Sequence, residues 1–412
     1  AFDNDTNICQ IGIHCFNGTK IDESNLKAIY QKVGHLYKNI DFMKSFNRES
    51  ITSIKIPSEI EKITLNAFKD CINLTRVEIC DDSNLSKIMD GAFSNCVSLT
   101  EMTIPENVDY FGKECFQNCL KYEGRIRATS YRKIFIGLSA FENSGLISFQ
   151  SESRAIKVCN CAFKNCKKLI QFQAKANIES IFGSSVFVNC IRLKKAFISP
   201  SVNKVSFGKC CFMNSDIRKF IIPTNLEVLQ HSIFKKCQHL SEVIIDEEYS
   251  KIKLIKSEAF QSSGINSIVI PLQTEIIEEN SFNNCKNLNN IHFPKKLQLS
   301  ICSSCFANCP NLKEIVLPKI MNIKEIYENT FGGLSIESIT LSKSIKRIHK
   351  HSFLNCAKLK CVKFLNRIKV DSFAFLGCKQ LQTIQIKSSI MLGISFSDRL
   401  DLFNNNISIL FR

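Results

Sequence analysis

Ala92–Val108 reads AFSNCVSLTEMTIPENV, and near copies return at Ser281–Pro294 as SFNNCKNLNNIHFP and at Cys305–Pro318 as CFANCPNLKEIVLP. A string that recurs at a fixed spacing makes its residue types structural by default, because one such unit buries its apolar face only when neighbours stack on it. Aligned on the Phe before the Asn-Cys pair, the anchors are Phe46, Phe68, Phe93, Phe116, Phe141, Phe163, Phe187, Phe212, Phe234, Phe260, Phe282, Phe306, Phe331, Phe353 and Phe375. Fourteen steps separate the first anchor from the last, a period of about 23.5 residues.

Each period carries the same apolar grammar. Five residues before the last fourteen anchors sits an apolar residue, as at Ile63, Ile88, Phe111, Ile136, Ile255, Ile326 and Val370. After the anchor comes a Leu or Ile and then an alternating pair: Leu74, Val77, Ile79; Leu99, Met102, Ile104; Leu312, Ile315, Leu317; Leu381, Ile384, Ile386. The period-2 spacing of the last two positions is that of a short strand with one buried face. Pro57, Pro105, Pro223, Pro271, Pro294 and Pro318 follow directly, where a missing N–H ends a strand. One strand and one turn per coil predict a β-rich solenoid, a right-handed leucine-rich-repeat superhelix of about 15 coils with one long parallel sheet. At roughly 4.8 Å per strand the rod is about 70 Å long.

The combination L-x-x-I-x-I-P, then I, then A-F-x-x-C resembles the BspA-like, or Treponema-type, leucine-rich repeats of bacterial surface adhesins and of surface-protein families in parasitic protists. The resemblance covers roughly Ile51 to Ile386. It implies a cell-surface or secreted location and attachment to host cells or matrix, although a fold does not fix a function.

The ends break the period. Phe16 and Phe46 are 30 residues apart, and Leu26, Ile29, Tyr30, Val33 and Tyr37 have helical spacing, so residues 1–45 read as a capping region with a short helix. The repeats occupy 46–390, and 391–412 read as a degraded last repeat or fragment end, with strand character at 407–411. The first residue is Ala1, which points to a processed chain or a fragment.

Twenty-one cysteines invite a disulfide or zinc reading, and the repeat register argues against both. Ten of them, from Cys71 and Cys96 to Cys356 and Cys378, lie three residues after an anchor, one per coil. Cys15, Cys115, Cys211 and Cys305 directly precede a Phe, a slot that Ala67, Ala92, Ala162 and Ala259 hold elsewhere. Thiol there stands in for methyl. Cys159 and Cys302 lie four before the anchor, where Gly112, Gly137, Gly183 and Gly208 stand in other coils. Where the loop after the anchor is one residue shorter the thiol is absent, and Glu49, Ser144, Ser215, Ser263 and Leu334 replace it. This pattern predicts an inward thiol that the shortened turn no longer supports. Cys302-Ser-Ser-Cys305 has redox or half-zinc spacing without a second pair, and His349-Lys-His351 is isolated. Mostly free thiols favour a reducing compartment, against the address that the resemblance implies.

The sequence contains no GxGxxG, phosphate loop, GxSxG, HExxH or paired-acid motif, which points away from an enzyme, a cofactor or a metal. It has no run of 18 apolar residues, so no membrane span is expected. Fifty-four Lys and Arg against 38 Asp and Glu leave a net charge of +16, a bias toward acidic protein or glycan partners. The lysine pairs scatter over different repeat positions, unlike a nucleic-acid groove.

Repeat proteins bind through the outward residues of stacked strands. The position between the two inward strand residues reads Phe197, Ile221, Ile244, Val269, His292 and Val316 over six consecutive coils. The outward position two residues earlier is mostly polar, with Lys195 and Lys219 among them. An apolar line with a polar border is what a partner-binding surface looks like; plain strand propensity of β-branched residues is the competing reading. Two functions follow: surface adhesion or recognition of host protein or glycan, or a cytoplasmic scaffold that holds an acidic partner such as a cytoskeletal polymer.

Overall fold

The computed structural model describes residues 48–411 apart from 295, 298, 318, 319, 322, 367 and 387–407. The expected N-terminal helix, Phe46 and most of the end after 390 lie outside the described residues. The chain forms two compact units, Ala1–Lys204 and Val205–Arg412. Among the described residues all regular structure is β-strand, and every paired register is parallel.

Each coil has three sides. The first is the expected alternating strand, as in Ser53–Ile56, where Ile54 and Ile56 are buried and pair with Val77 and Ile79 of the next coil. The second is a further strand, so a coil contributes two strands where the pattern suggested one. It is often only two residues long, as in Lys87–Ile88, and its buried member is the apolar residue five before the anchor. In Ala1–Lys204 these residues align as Ile63, Ile88, Phe111, Ile136, Val158 and Phe182. In Val205–Arg412 they align as Leu229, Ile255, Ile277 and Ile301, and again as Ile326, Ile348 and Val370. The two ladders divide into short parallel sheets instead of one unbroken sheet.

The third side is a turn that also forms a ladder. Asn66, Phe68 and Asp70 donate their N–H groups to the carbonyls of Asp90, Ala92 and Ser94 at 2.9, 2.7 and 2.8 Å. Asn66 and Asp70 have φ of 56° and 62°, and the positions two before and two after most anchors share this left-handed conformation. It turns alternate peptides so that successive donors face the next coil. The conformation is strained for most side chains and best tolerated by Asn and Gly, which explains the Asn of the repeated Asn-Cys pair.

The fourteen described anchors are buried, and their rings stack. Phe116, Phe141 and Phe163 lie 5.3 Å apart with interplanar angles of 4° and 3°. In the other unit Phe234, Phe260 and Phe282 stack at 5.3 and 5.2 Å. Neighbouring coils also come very close where the chain turns. A Cβ on Gly112 would sit 2.4 Å from the Asp90 nitrogen, so no side chain fits there.

The cysteine register has a bonding reason that size alone does not supply. Cys96 Sγ donates to the carbonyl of Phe68, the anchor one coil back, at 3.0 Å. The same bond recurs at Cys119, Cys166 and Cys190, and in the other unit at Cys237, Cys285, Cys309, Cys356 and Cys378, over 2.9–3.2 Å. Burial pushes four thiols of this register up, to about 11 for Cys71 and Cys237 and about 12 for Cys166 and Cys285. No disulfide joins any of the nineteen described cysteines.

The shortened coils depart from expectation. Ser144, Ser215 and Ser263 remain buried, and their hydroxyls meet the sulfur of the next coil's Cys166, Cys237 and Cys285 at 3.5, 3.6 and 3.5 Å. In these three coils shortening keeps the inward polar slot and exchanges the thiol for a smaller hydroxyl, while in the coil of Phe331 the buried Leu334 fills it. The position four before the anchor, held by Cys159 and Cys302, also departs from expectation. It accepts the bulky Tyr327 and His349 in later coils and is not fully buried at either cysteine. Smallness is required only in coils such as those of Gly112 and Gly137, where a Cβ would meet the backbone of the previous coil.

Candidate partner-binding surface

Alternation decides which side chains leave the coil. In Lys219–Ile221 the middle residue Phe220 is 1% exposed, which sends Lys219 and Ile221 outward. The next strand, Glu242–Ile244, repeats this in register, with Ile221 beside Ile244 and Lys219 beside Glu242. Asn266 N–H donates to the Ser241 carbonyl at 3.2 Å and brings Ser267–Val269 alongside. Val269 then lies in register with His292. Val316 follows the buried Ile315 outside any strand and is 67% exposed.

Val205–Arg412 thus places Ile221, Ile244, Val269, His292 and Val316 on consecutive coils, pointing outward. Ile221, Ile244 and Val269 are half-buried by their neighbours, while His292 and Val316 are exposed. Lys219 Nζ pairs with Glu242 at 3.0 Å, so the border there is neutral in sum. An exposed pair of this kind adds little to stability. Phe197 and Lys195 lie in the other unit, on Lys195–Ile198, where Phe197 is 40% exposed and registers with Gln173. The six-coil line of the sequence therefore divides between two units.

The remaining candidates are tied into the packing. Cys305 Sγ is buried and donates to the Glu278 carbonyl at 3.1 Å, which commits the better-placed thiol of the Cys302–Cys305 pair. His349 stacks on Tyr327 at 5.3 Å and bonds Glu325 at 2.7 Å, beside an Arg347–Asp371 pair at 2.8 Å. Among the described residues no three His, Cys, Asp or Glu side chains form a metal site, and no helix is long and apolar enough to cross a membrane.

One outward column escaped the sequence reading. The second ladder presents the residue six before each anchor, and in Val205–Arg412 this gives Val228, Leu254 and Ile276, in register and apolar. In Ala1–Lys204 it gives Lys62, Lys87, Tyr110, Phe135, Lys157 and Ile181. Writing out that position along the repeat would have revealed both.

Two parallel strands and a laddered turn per coil, stacked about a phenylalanine column, define a leucine-rich-repeat β-solenoid. The chain belongs to the BspA type Leucine rich repeat region family, whose six-copy pattern matches residues 38–169, 134–254, 205–331, 253–369 and 277–398. Among solved structures, a leucine-rich repeat protein from Bacteroides ovatus is 19% identical over 87% of this chain and 92% of its own, with a TM-score of 0.57. That likeness shows the fold. A leucine rich cell surface protein from Faecalibacterium prausnitzii is 21% identical over 86% of this chain and 81% of its own, with a TM-score of 0.40. The pneumococcal vaccine antigen PcpA is 19% identical over 88% and 79%, with a TM-score of 0.38. No curated protein matches the chain.

Proposed function

We propose that the chain is a non-enzymatic recognition module that holds a protein partner on the outward column of Val205–Arg412. The observation that carries this reading is the line Ile221, Ile244, Val269 and Val316, apolar on the solvent side of consecutive coils and interrupted only by His292. Burying such a line under a partner removes apolar surface from water, while its polar border of Lys219, Glu242, Ser267, Asn290 and Glu314 sets orientation. The family resemblance supports display at a cell surface and adhesion to host protein or glycan. The lack of a disulfide among the nineteen described cysteines favours the alternative, a cytoplasmic scaffold.

The test is the double variant I221S/I244S, measured against each protein partner captured from host cells and from the native cell. Affinity should fall at least about 30-fold, the hot-spot scale of about 2 kcal/mol, while the melting temperature stays close to that of the parent. Unchanged affinity for every partner would reduce the line to strand propensity. V228S/L254S, on the opposite ladder, serves as the matched control. The capturing cell type decides between the two compartments.

A further inference from the structure

The outward column of the second ladder in Ala1–Lys204 is a continuous row on six paired strands: Lys62, Lys87, Tyr110, Phe135, Lys157, Ile181. The rings of Tyr110 and Phe135 stack at 5.0 Å with an interplanar angle of 13°. Lys157 Nζ lies 5.8 Å from the Phe135 centroid, on the side away from Tyr110 in the strand order. Both faces of Phe135 and one face of Tyr110 are therefore occupied, and the ring edges meet solvent. Aromatic edges carry the positive end of the quadrupole, so the middle of the row suits apolar groups and acidic oxygens, not a base or sugar that needs a free ring face.

The charges agree. Lys62, Lys87 and Lys157 form no salt bridge with a described residue, whereas lysines beside the row are engaged: Lys133 and Lys204 with Glu179, and Lys113 with Glu114. The nearby Asp90 carboxylate already accepts the Lys113 N–H at 2.8 Å. The row thus has three cations without an ion-pair partner among the described residues and no carboxylate of its own, with an aromatic centre between Lys87 and Lys157.

We propose that this row binds an extended acidic peptide laid along the stack, across the strands, with one carboxylate at Lys87, an apolar side chain over the Tyr110 and Phe135 edges, and a second carboxylate at Lys157. Spacing fixes the motif. Neighbouring coils lie about 4.8 Å apart, so Lys87 and Lys157, three coils apart, are separated by roughly 14 Å. An extended chain rises about 3.3 Å per residue, which places the two acids about four residues apart. In such a chain residues i, i+2 and i+4 share one face, so acid, apolar and acid fall on the row together. The peptide is acidic-x-apolar-x-acidic, and Lys62 extends the site toward a further upstream acid.

The probe is a fluorescent peptide with Glu at positions one and five and Phe at three, compared by anisotropy with a scrambled peptide of equal charge whose two Glu are adjacent. The full chain should prefer the spaced peptide at least fivefold and lose affinity as salt rises. K87E/K157E should abolish the preference, while K167E/K194E, with the same change in net charge, should retain it. Single K157E repeats the test should the double variant melt early. Equal binding of the two peptides, or equal loss in both double variants, overturns the proposal. So does a sulfated glycan or single-stranded DNA that binds the row while the spaced peptide does not.

Discussion

Ala1–Lys204 and Val205–Arg412 build one coil from one pattern and finish it differently. In the first unit the residue two after each described anchor, Asp70 and then Asn in every coil, joins a side-chain chain. Asn95 donates to Asp70 at 2.7 Å, and Asn118, Asn143, Asn165 and Asn189 each donate to the one before at 2.8–3.0 Å. In the second unit Lys236, Ser262, Gly333 and Gly377 take that place in four coils, and the chain is reduced to links such as Asn284 to Ser262 at 3.0 Å. Aromatic side contacts are uneven along the column: in the first unit Phe163 stacks on Phe141 and Phe187 and meets Phe149 and Phe172 edge-on. In the second, Phe220 flanks Phe212 and Phe234 at 5.0 and 5.2 Å, and Phe260 has only its two stacked neighbours among the described rings. The outward strand positions differ too, with Lys55, Glu78, Arg127, Gln150 and Gln173 ahead of Phe197 in the first unit, and Ile221, Ile244 and Val269 ahead of His292, Thr340, Lys363 and Gln385 in the second. The core repeat constrains what points inward and leaves the outward face free to diverge.

The largest expected effect tests the aromatic difference. F163A removes a ring held by four others and should cost about 5 kcal/mol locally, whereas F260A, stacked between Phe234 and Phe282, should cost about 3 kcal/mol. Because repeat arrays open locally, the measurement is native-state hydrogen exchange of the strands around each site. Equal losses would show that the edge-on rings add nothing, and that difference between the two sites would disappear.

A smaller effect isolates the amide chain. Asn143 and Lys236 both have left-handed backbones, with φ of 59° and 61°, so glycine suits either position. N143G breaks the links to Asn118 and Asn165 and should cost about 1 to 2 kcal/mol. K236G removes no amide link and relieves a strained side chain, so its effect should lie near zero. Similar values for the two variants would mean that the asparagines serve the backbone conformation alone.

These contrasts mark where the sequence was legible. The anchors, the residue five before them and the alternating pair were readable because burial imposes their type in every coil. The second ladder was not, since strands as short as Lys87–Ile88 carry no period of two. The bonds of the thiols and amides were hidden for another reason: Cys96 and Asn118 each find their partners one coil back, more than 20 residues away. For the candidate surface, alternation around Phe220 and Val243 gave the outward direction of Ile221 and Ile244. It did not give their half-burial by neighbouring strands, or the assignment of Phe197 and Lys195 to the other unit.

The thiol ladder is the feature both units share, and it supplies the control for every contrast above. Cys166 and Cys285 occupy equivalent slots, each fully buried, each bonded to the previous anchor's carbonyl and each faced by a serine. Burial raises both from the ordinary 9.0 to about 12. A thiol with a raised folded pKa contributes stability that is intact below pH 9 and lost as pH climbs from 9 toward 12, because only the unfolded chain ionises in that window. C166A and C285A should each cost about 1 kcal/mol at pH 7, the scale of a small buried group with a weak hydrogen bond. At pH 10 the parent loses about 1.4 kcal/mol per thiol and each variant loses one such contribution fewer, so the cost should vanish. Urea melts of parent and variants at the two pH values measure this. Thiol titration of the unfolded, unreduced chain must first show most of the twenty-one cysteines reactive, since fewer than half would mean the ladder is oxidised. A pH-independent cost would remove the thiol from the account of the turn, and a cost that differed between the two units would end their equivalence.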